Sequence, residues 1–147
     1  MFKDGKYRKD REDEWRIRHV LEEAWGVELF KARILAPSDF FAVRRFDLKT
    51  VAYVDLRFRN CRKDTYPEYY AGKEKLDRAI YLAAQNGIRF LFCIKFINGL
   101  YTAEIDEAEA KTFTAGYNER MAYPGRSTRK AYQIPIALFK RATEVEF

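Results

Sequence analysis

Residues 51–59, Val-Ala-Tyr-Val-Asp-Leu-Arg-Phe-Arg, are the segment that most restricts how this chain can fold. Side chains in the segment alternate between two faces, and this period of two is typical of a β-strand with one buried face. One face carries Ala52, Val54, Leu56 and Phe58, and the other carries Tyr53, Asp55, Arg57 and Arg59. Asp55 and Arg57 are therefore expected to extend from the same side of one strand.

A second carboxylate, Asp39, stands at the start of the preceding predicted strand. Two carboxylates can hold a hard divalent cation such as Mg²⁺. A cation beside them can stabilise the anionic transition state of phosphodiester cleavage. The alternative interpretation of Asp55 and Arg57 is an ordinary ion pair on a half-exposed strand.

The composition indicates a single globular domain over residues 1–147, because 48% of the residues are hydrophobic and 34% are charged. No apolar run is long enough to cross a bilayer. The first residues lack the apolar core of a secretory signal, which favours a cytoplasmic location. The two cysteines, Cys61 and Cys93, do not have the spacing of metal ligands.

The net charge of +6 is unevenly distributed. Residues 44–78 carry ten basic and six acidic side chains, and residues 116–147 carry six and three. This excess favours a polyanionic partner such as nucleic acid. A basic protein that binds no polyanion is the alternative.

The first predicted helix covers residues 10–25 and ends at Gly26. Its predicted apolar stripe consists of Ile17, Leu21, Ala24 and Trp25. Helical geometry places Glu14 on the same stripe, where a carboxylate needs a partner or a metal. Alternatively, Glu14 only favours the N-terminal end of the helix.

The remaining pattern predicts a mixed α/β sheet. The predicted elements are strands at 27–35, 38–46 and 51–59, a helix at 68–86, a strand at 88–96, a strand at 100–105 after an Asn98-Gly99 turn, and an edge strand at 132–140. Residues 88–96 are almost continuously apolar, as in a strand buried on both faces. The crossover through the 68–86 helix should make the strands that carry Asp55 and Phe92 parallel neighbours or near-neighbours.

Residues 113–131 are predicted to form a polar loop in which tyrosines and cations alternate. Such a loop can stack on a nucleic-acid strand. Its tyrosines can instead pack on the domain, or the loop can form an oligomer contact. The residues concerned are Tyr117, Arg120, Tyr123, Arg126, Arg129 and Lys130.

The order of these residues resembles the PD-(D/E)XK nuclease superfamily, whose fold is restriction-endonuclease-like. The resemblance rests on Glu14 in the first helix, Pro37-Ser38-Asp39 before a strand, Asp55-Leu56-Arg57 in the next strand, and a basic residue in the second helix. The closing segment 134–139, Ile-Pro-Ile-Ala-Leu-Phe, resembles the end of small phage-type members.

The resemblance implies a central mixed sheet flanked by helices, in the order α-β-β-β-α-β-β with a C-terminal edge strand. It also implies a metal-dependent nuclease, an endonuclease or exonuclease, that hydrolyses DNA with Mg²⁺ or Mn²⁺ in the host cytoplasm or the virion. Asp39 and Asp55 would bind the metal, and Glu14 would support it through water. Arg57 stands where the family has lysine, and Lys75 matches the basic residue of the second helix, although Lys73 lies nearer the centre of that helix's apolar stripe.

Two departures from the family pattern keep a second function open. Asp55 replaces the usual glutamate, and Arg57 stays protonated, so it can clamp phosphate but cannot accept a proton. The alternative is a catalytically lapsed nuclease fold that binds nucleic acid or builds a phage-type assembly, as a homo-oligomer or a larger complex. For either function, the predicted nucleic-acid contacts are Arg59, Arg62, Lys63 and Lys73.

Overall fold

The structure is a computed structural model, and it describes residues 2–33, 36–117 and 130–147. The elements are α1 Phe2–Trp25, β1 Val27–Lys31, β2 Phe40–Arg44, β3 Thr50–Phe58, β4 Glu68–Gly72, α2 Lys73–Gln85, β5 Arg89–Phe96, β6 Gly99–Glu104, α3 Glu107–Ala110, β7 Thr114–Tyr117, β8 Lys130–Pro135 and β9 Lys140–Arg141. None of the helices in these ranges is both long and apolar enough to span a membrane.

Six strands form the main sheet, in the order β1-β2-β3-β5-β6-β9. β3 and β5 are parallel, with Asp55 opposite Phe92, and the other neighbours are antiparallel. The mixed α/β fold and the parallel pairing of these two strands are therefore confirmed. The crossover between them passes through β4 and α2.

The sheet separates two apolar clusters, one beneath each long helix. α1 packs on Val54, Leu56, Leu91 and neighbouring residues, whereas α2 packs on Phe90, Phe92 and Ile94. β5 supplies side chains to both clusters, which explains its continuous apolar sequence. Because Val54 and Leu56 face α1, the alternation of β3 turns Asp55 and Arg57 toward the side of α2.

The first helix differs from the prediction in its length and in its buried carboxylate. It begins at Phe2 rather than at residue 10, and Ala24 is exposed. Glu22, rather than Glu14, is buried, with 6% of its surface exposed. Its carboxylate accepts a hydrogen bond from the Leu29 backbone N–H at 2.9 Å and lies 3.3 Å from His19 Nδ1. β1 is an edge strand, so this outward N–H has no strand partner and Glu22 satisfies it.

Replacing Glu22 with alanine should therefore destabilise the protein by about 1–3 kcal/mol, because the buried Leu29 N–H loses its acceptor. Glu23 is the matched control, since its side chain is 75% exposed. Glu23→Ala should change the free energy of unfolding by less than about 0.5 kcal/mol. Urea unfolding of the two variants measures the difference. Equal stabilities would show that the Glu22 bond contributes nothing.

A second, three-stranded sheet with the order β4-β8-β7 was not predicted. The helix expected over 68–86 begins only at Lys73, because residues 68–72 pair with β8. The helical period of the sequence predicts Tyr69 and Ala84 on the apolar face of that helix, but Tyr69 lies on a strand and Ala84 is exposed. Asp77 on α2 accepts a hydrogen bond from Tyr132 Oη on β8, which connects this sheet to the helix. Asp77 also accepts a hydrogen bond from Lys73 Nζ at 2.6 Å.

The C-terminal edge strand predicted over 132–140 is also corrected. β8 ends at Pro135 and lies in the centre of the second sheet. Pro135 is tolerated because it is the last residue of the ladder, opposite Glu68. The C-terminal edge strand of the main sheet is instead β9, beside β6 and at the opposite edge from β1. Residues 114–117 of the predicted loop form β7, and Arg120, Tyr123, Arg126 and Arg129 lie outside the described residues.

Candidate active site

Asp39 and Asp55 meet because β2 and β3 are antiparallel neighbours. Phe40 pairs with Val54, which places the residue before β2 beside the middle of β3. The Asp39 backbone N–H donates to Asp55 Oδ1 at 2.9 Å, and the Leu56 N–H donates to Asp39 Oδ2 at 3.2 Å. The backbone N–H of Asp39 thus holds the Asp55 carboxylate, and the N–H of Leu56, the residue after Asp55, holds the Asp39 carboxylate.

Two cations contact this pair of carboxylates. Arg57 Nη1 lies 2.7 Å from Asp39 Oδ2, and Arg57 Nη2 lies 3.9 Å from Asp55 Oδ2. Lys75 Nζ, from the first turn of α2, lies 3.4 Å from Asp39 Oδ1. The guanidinium of Arg57 also stands 5.7 Å from the centre of the Phe92 ring. The cluster therefore combines two negative and two positive groups.

The two carboxyl groups have opposite pKa shifts. Burial raises the pKa of Asp55, which is 1% exposed, and the charge of Asp39 raises it further. Burial also raises the pKa of Asp39, but Arg57, the Leu56 N–H and Lys75 outweigh that effect, so the pKa of Asp39 is lowered. The pKa of Arg57 is raised, because the two carboxylates outweigh its desolvation. Arg57 is thus a permanent cation here.

The donor set fits a divalent metal with two carboxylate ligands. Asp55 Oδ2 accepts no hydrogen bond within the described ranges, and Arg57 Nη2 lies 3.9 Å from it. An ionised carboxylate this deeply buried needs a compensating positive charge. No group of three Asp, Glu, His or Cys side chains able to hold a metal occurs in the described part of the chain. The remaining ligands of a bound ion would then include water, as is usual for Mg²⁺.

Two cavities, of about 960 and 670 Å³, border this cluster. The first, called the Tyr69 cavity, is lined by Asp55, Tyr69 and Lys73, and the second, called the Glu14 cavity, by Glu14 and Asp39. Both are lined by Ala36, Arg57, Lys75 and Arg78. One extended concave surface therefore passes over the carboxylates.

The structure brings together Asp39, Asp55, Arg57 and Lys75 of the predicted catalytic residues. Glu14 lies in the Glu14 cavity but pairs with Lys31 at 3.3 Å, and it does not complete a group of three acids. Lys75, not Lys73, is the helix cation on the carboxylates, since Lys73 pairs with Asp77. The roles of these residues remain predictions.

The predicted nucleic-acid contacts are more scattered. Lys73 lines the Tyr69 cavity, and the Arg59 guanidinium stands 5.2 Å from the centre of the Tyr69 ring. Arg62 pairs with Asp64 at 3.4 Å and Lys63 stands 5.0 Å from the Tyr101 ring centre, and neither residue lines the Tyr69 cavity or the Glu14 cavity.

Three cations on the cavity walls were missed by the sequence interpretation: Lys31, Arg33 and Arg78. Arg78 follows Lys75 by three residues on α2, and this spacing places both on one helix face. That signal could have identified Arg78. Arg33 lies after the end of β1, and no sequence pattern marked it.

The fold, with this cluster beside β2 and β3, has the architecture of the PD-(D/E)XK nuclease class. Residues 5–142 match the family described as "Phage putative PDDEXK endonuclease", and the chain belongs to that family. No curated protein matches the sequence. Among solved structures, Hjc from Archaeoglobus fulgidus, a Holliday junction resolvase, aligns with a TM-score of 0.56 and 12% identity over 88% of this chain and 96% of its own. This similarity confirms the restriction-endonuclease-like fold.

Proposed function

We propose that the protein is a metal-dependent nuclease that hydrolyses phosphodiester bonds in DNA. The observation that carries this proposal is the cluster of Asp39, Asp55, Arg57 and Lys75 on a concave surface lined with further cations. Membership of a phage endonuclease family supports the same function. We also propose that residues 1–147 act as one domain, in the cytoplasm of the host cell or in the virion.

Asp39 and Asp55 would hold Mg²⁺ or Mn²⁺. When bound, such an ion lowers the pKa of its water and neutralises charge on the phosphoryl oxygens. Arg57 and Lys75 then bind the phosphate and stabilise the charge that develops during cleavage. Arg57 acts only as a cation and hydrogen-bond donor, because it keeps its proton.

The DNA backbone would follow the two cavities. Arg33 and Arg78 are exposed and form no ion pair within the described ranges, so they are available to phosphates. Lys73 extends the same path on the other side of the carboxylates, in the Tyr69 cavity. Arg59, Arg62 and Lys63 are proposed as contacts beyond the cavities.

The double variant Arg33→Ala, Arg78→Ala should weaken DNA binding at low salt. It should reduce the slope of log affinity against log salt by about 2 units, since each phosphate contact contributes roughly 0.9 on duplex DNA. Fluorescence anisotropy over a series of salt concentrations, in Ca²⁺ to avoid cleavage, measures the slope. No sequence preference should change, because phosphate contacts carry no base information.

The matched control is the double variant Arg62→Ala, Lys63→Ala, which removes the same charge outside the cavities. We expect it to reduce the slope by about 1 unit, because Arg62 already has an acidic partner. A larger effect for this control than for the Arg33 and Arg78 variant would place the DNA path along the 60–65 segment instead. An absence of any DNA binding by the wild type at low ionic strength would contradict the proposal.

A catalytically lapsed nuclease fold is the second candidate. One observation favours it: both oxygens of Asp39 already contact a cation, Arg57 or Lys75, so the cluster is neutral without a metal. Such a protein would bind nucleic acid or join a phage-type assembly. The thermal shift with Mn²⁺ separates the two functions, because a competent metal site gives a concentration-dependent rise in Tm and a lapsed site gives none.

A further inference from the structure

The side chain of Tyr69 lies beside the proposed catalytic cluster, although it comes from the second sheet. Its ring centre is 5.5 Å from that of Phe92, the residue opposite Asp55 in β5. The guanidinium carbon of Arg59 lies 5.2 Å from the centre of the Tyr69 ring. Tyr69 lines the same cavity as Asp55, Arg57 and Lys75. The unpredicted strand β4 therefore brings a phenol to the site.

The hydroxyl of Tyr69 has no hydrogen-bond partner in the described part of the chain, although the side chain is half-buried. The hydroxyl itself is not among the fully buried atoms that lack a partner in the described ranges, so a ligand in the cavity can reach it. Tyr53 Oη accepts from Asn86 at 2.9 Å, and Tyr132 Oη donates to Asp77. Tyr69 is thus a polar group that faces the cavity without a protein partner.

The Tyr69 hydroxyl is in the protonated state that a hydrogen-bond donor needs. Burial raises the pKa of Tyr69, and Arg57 and Arg59 only partly offset this effect. The phenol therefore keeps its proton at neutral pH.

We propose that the Tyr69 hydroxyl donates a hydrogen bond to a non-bridging oxygen of the substrate phosphate. This inference rests on the proposed nuclease function. A phosphate that enters the site must compete with Asp39 for both Arg57 and Lys75, because Asp39 contacts each of them. The Tyr69 hydroxyl has no such internal competitor. It supplies a preorganised donor where negative charge develops during cleavage.

Tyr69→Phe is the test, because it removes one oxygen and keeps the ring against Phe92 and Arg59. We expect about fivefold weaker binding to DNA in Ca²⁺, a cleavage rate at saturating DNA in Mn²⁺ that is about 10–100-fold lower, and an unchanged Tm. Tyr81→Phe is the matched control, since Tyr81 is 55% exposed on α2 and lines neither cavity. Its binding and cleavage should equal those of the wild type.

The outcomes separate this inference from the proposed function. If the wild type cleaves and Tyr69→Phe cleaves and binds equally well, the role of Tyr69 is wrong and the nuclease function stands. If the wild type binds DNA but does not cleave it, the proposed catalysis fails. Weaker binding by Tyr69→Phe than by Tyr81→Phe then still supports the phosphate contact, and equal binding overturns it. If the wild type neither cleaves nor binds DNA, both are wrong.

Discussion

Asp55→Asn should produce a protein that is as stable as the wild type or more stable, yet has lost its response to metal. Asp55 is almost fully buried, and burial followed by the charge of Asp39 raises the pKa of its carboxyl group. The ionised carboxylate therefore opposes folding at neutral pH. Asparagine removes the charge and keeps an oxygen that can accept the Asp39 N–H, so the fold loses only the 3.9 Å ion pair between Asp55 and Arg57.

The raised pKa of Asp55 also predicts how the stability difference between Asp55→Asn and the wild type changes with pH. A carboxyl group whose pKa is raised in the folded state stabilises the fold below its unfolded pKa, and that stabilisation is lost as the pH rises through the folded pKa. The stability gained by Asp55→Asn, relative to the wild type, should therefore be larger at pH 8 than at pH 4. Thermal unfolding at the two pH values, without metal, measures it.

The second part of this prediction concerns stabilisation of the protein by bound Mn²⁺. At a Mn²⁺ concentration of about 100 Kd, a bound ion should stabilise the wild type by about 2.7 kcal/mol. Asp55→Asn should show no such shift. Asp64→Asn is the control, since its side chain is 77% exposed and pairs with Arg62 outside the cluster. A full Mn²⁺ shift in Asp55→Asn would show that Asp55 does not bind the metal.

Arg57→Met should have the opposite effect on stability, lowering it by about 1–3 kcal/mol, because it leaves Asp39 and Asp55 without their shared guanidinium. Arg57 lowers the pKa of Asp39 in the folded state. The resulting stabilisation is present above the unfolded pKa and is lost as the pH falls through the folded pKa. The loss caused by Arg57→Met should therefore be largest near neutral pH and should shrink as the pH falls below the unfolded pKa of Asp39, as measured by urea unfolding.

Arg62→Met is the matched control, because its side chain is 60% exposed and its ion pair lies outside the cavities. We expect it to change stability by less than about 0.5 kcal/mol. Arg57→Lys tests the chemistry of the position, since lysine is the family's residue there. Its cleavage rate should equal or exceed that of the wild type. A rate at least about tenfold lower would show that the site needs the two-pronged guanidinium, which reaches both Asp39 and Asp55.

The main sheet could be predicted because its signals are local. The period of two in residues 51–59 fixed which side chains share a face, and the apolar run 88–96 indicated a strand covered on both sides. The helical crossover then required these strands to be parallel. Asp39 and Asp55 come together through the antiparallel hairpin of β2 and β3, which the turn between two predicted strands already implied.

The second sheet could not be predicted, because its pairing joins segments about 60 residues apart. Residues 68–72 are compatible with helix or strand by composition, and only β8 decides between them. The helical interpretation placed Tyr69 in an apolar core and so removed it from the site. Similarly, the choice between Glu14 and Glu22 as the buried carboxylate depends on the outward N–H of the edge strand β1, which no helical period reveals.

Metal-dependent DNA cleavage by the purified protein tests the central claim most directly. Fluorescently labelled single-stranded and duplex DNA should be incubated with the wild type in Mn²⁺, Mg²⁺ or EDTA, and with Asp55→Asn prepared in parallel to detect contaminating nucleases. We predict cleavage by the wild type in Mn²⁺ or Mg²⁺, none in EDTA, and a rate at least about 100-fold lower for Asp55→Asn. Intact DNA with the wild type under every metal condition, or equal cleavage by Asp55→Asn, would contradict a nuclease site at Asp39 and Asp55.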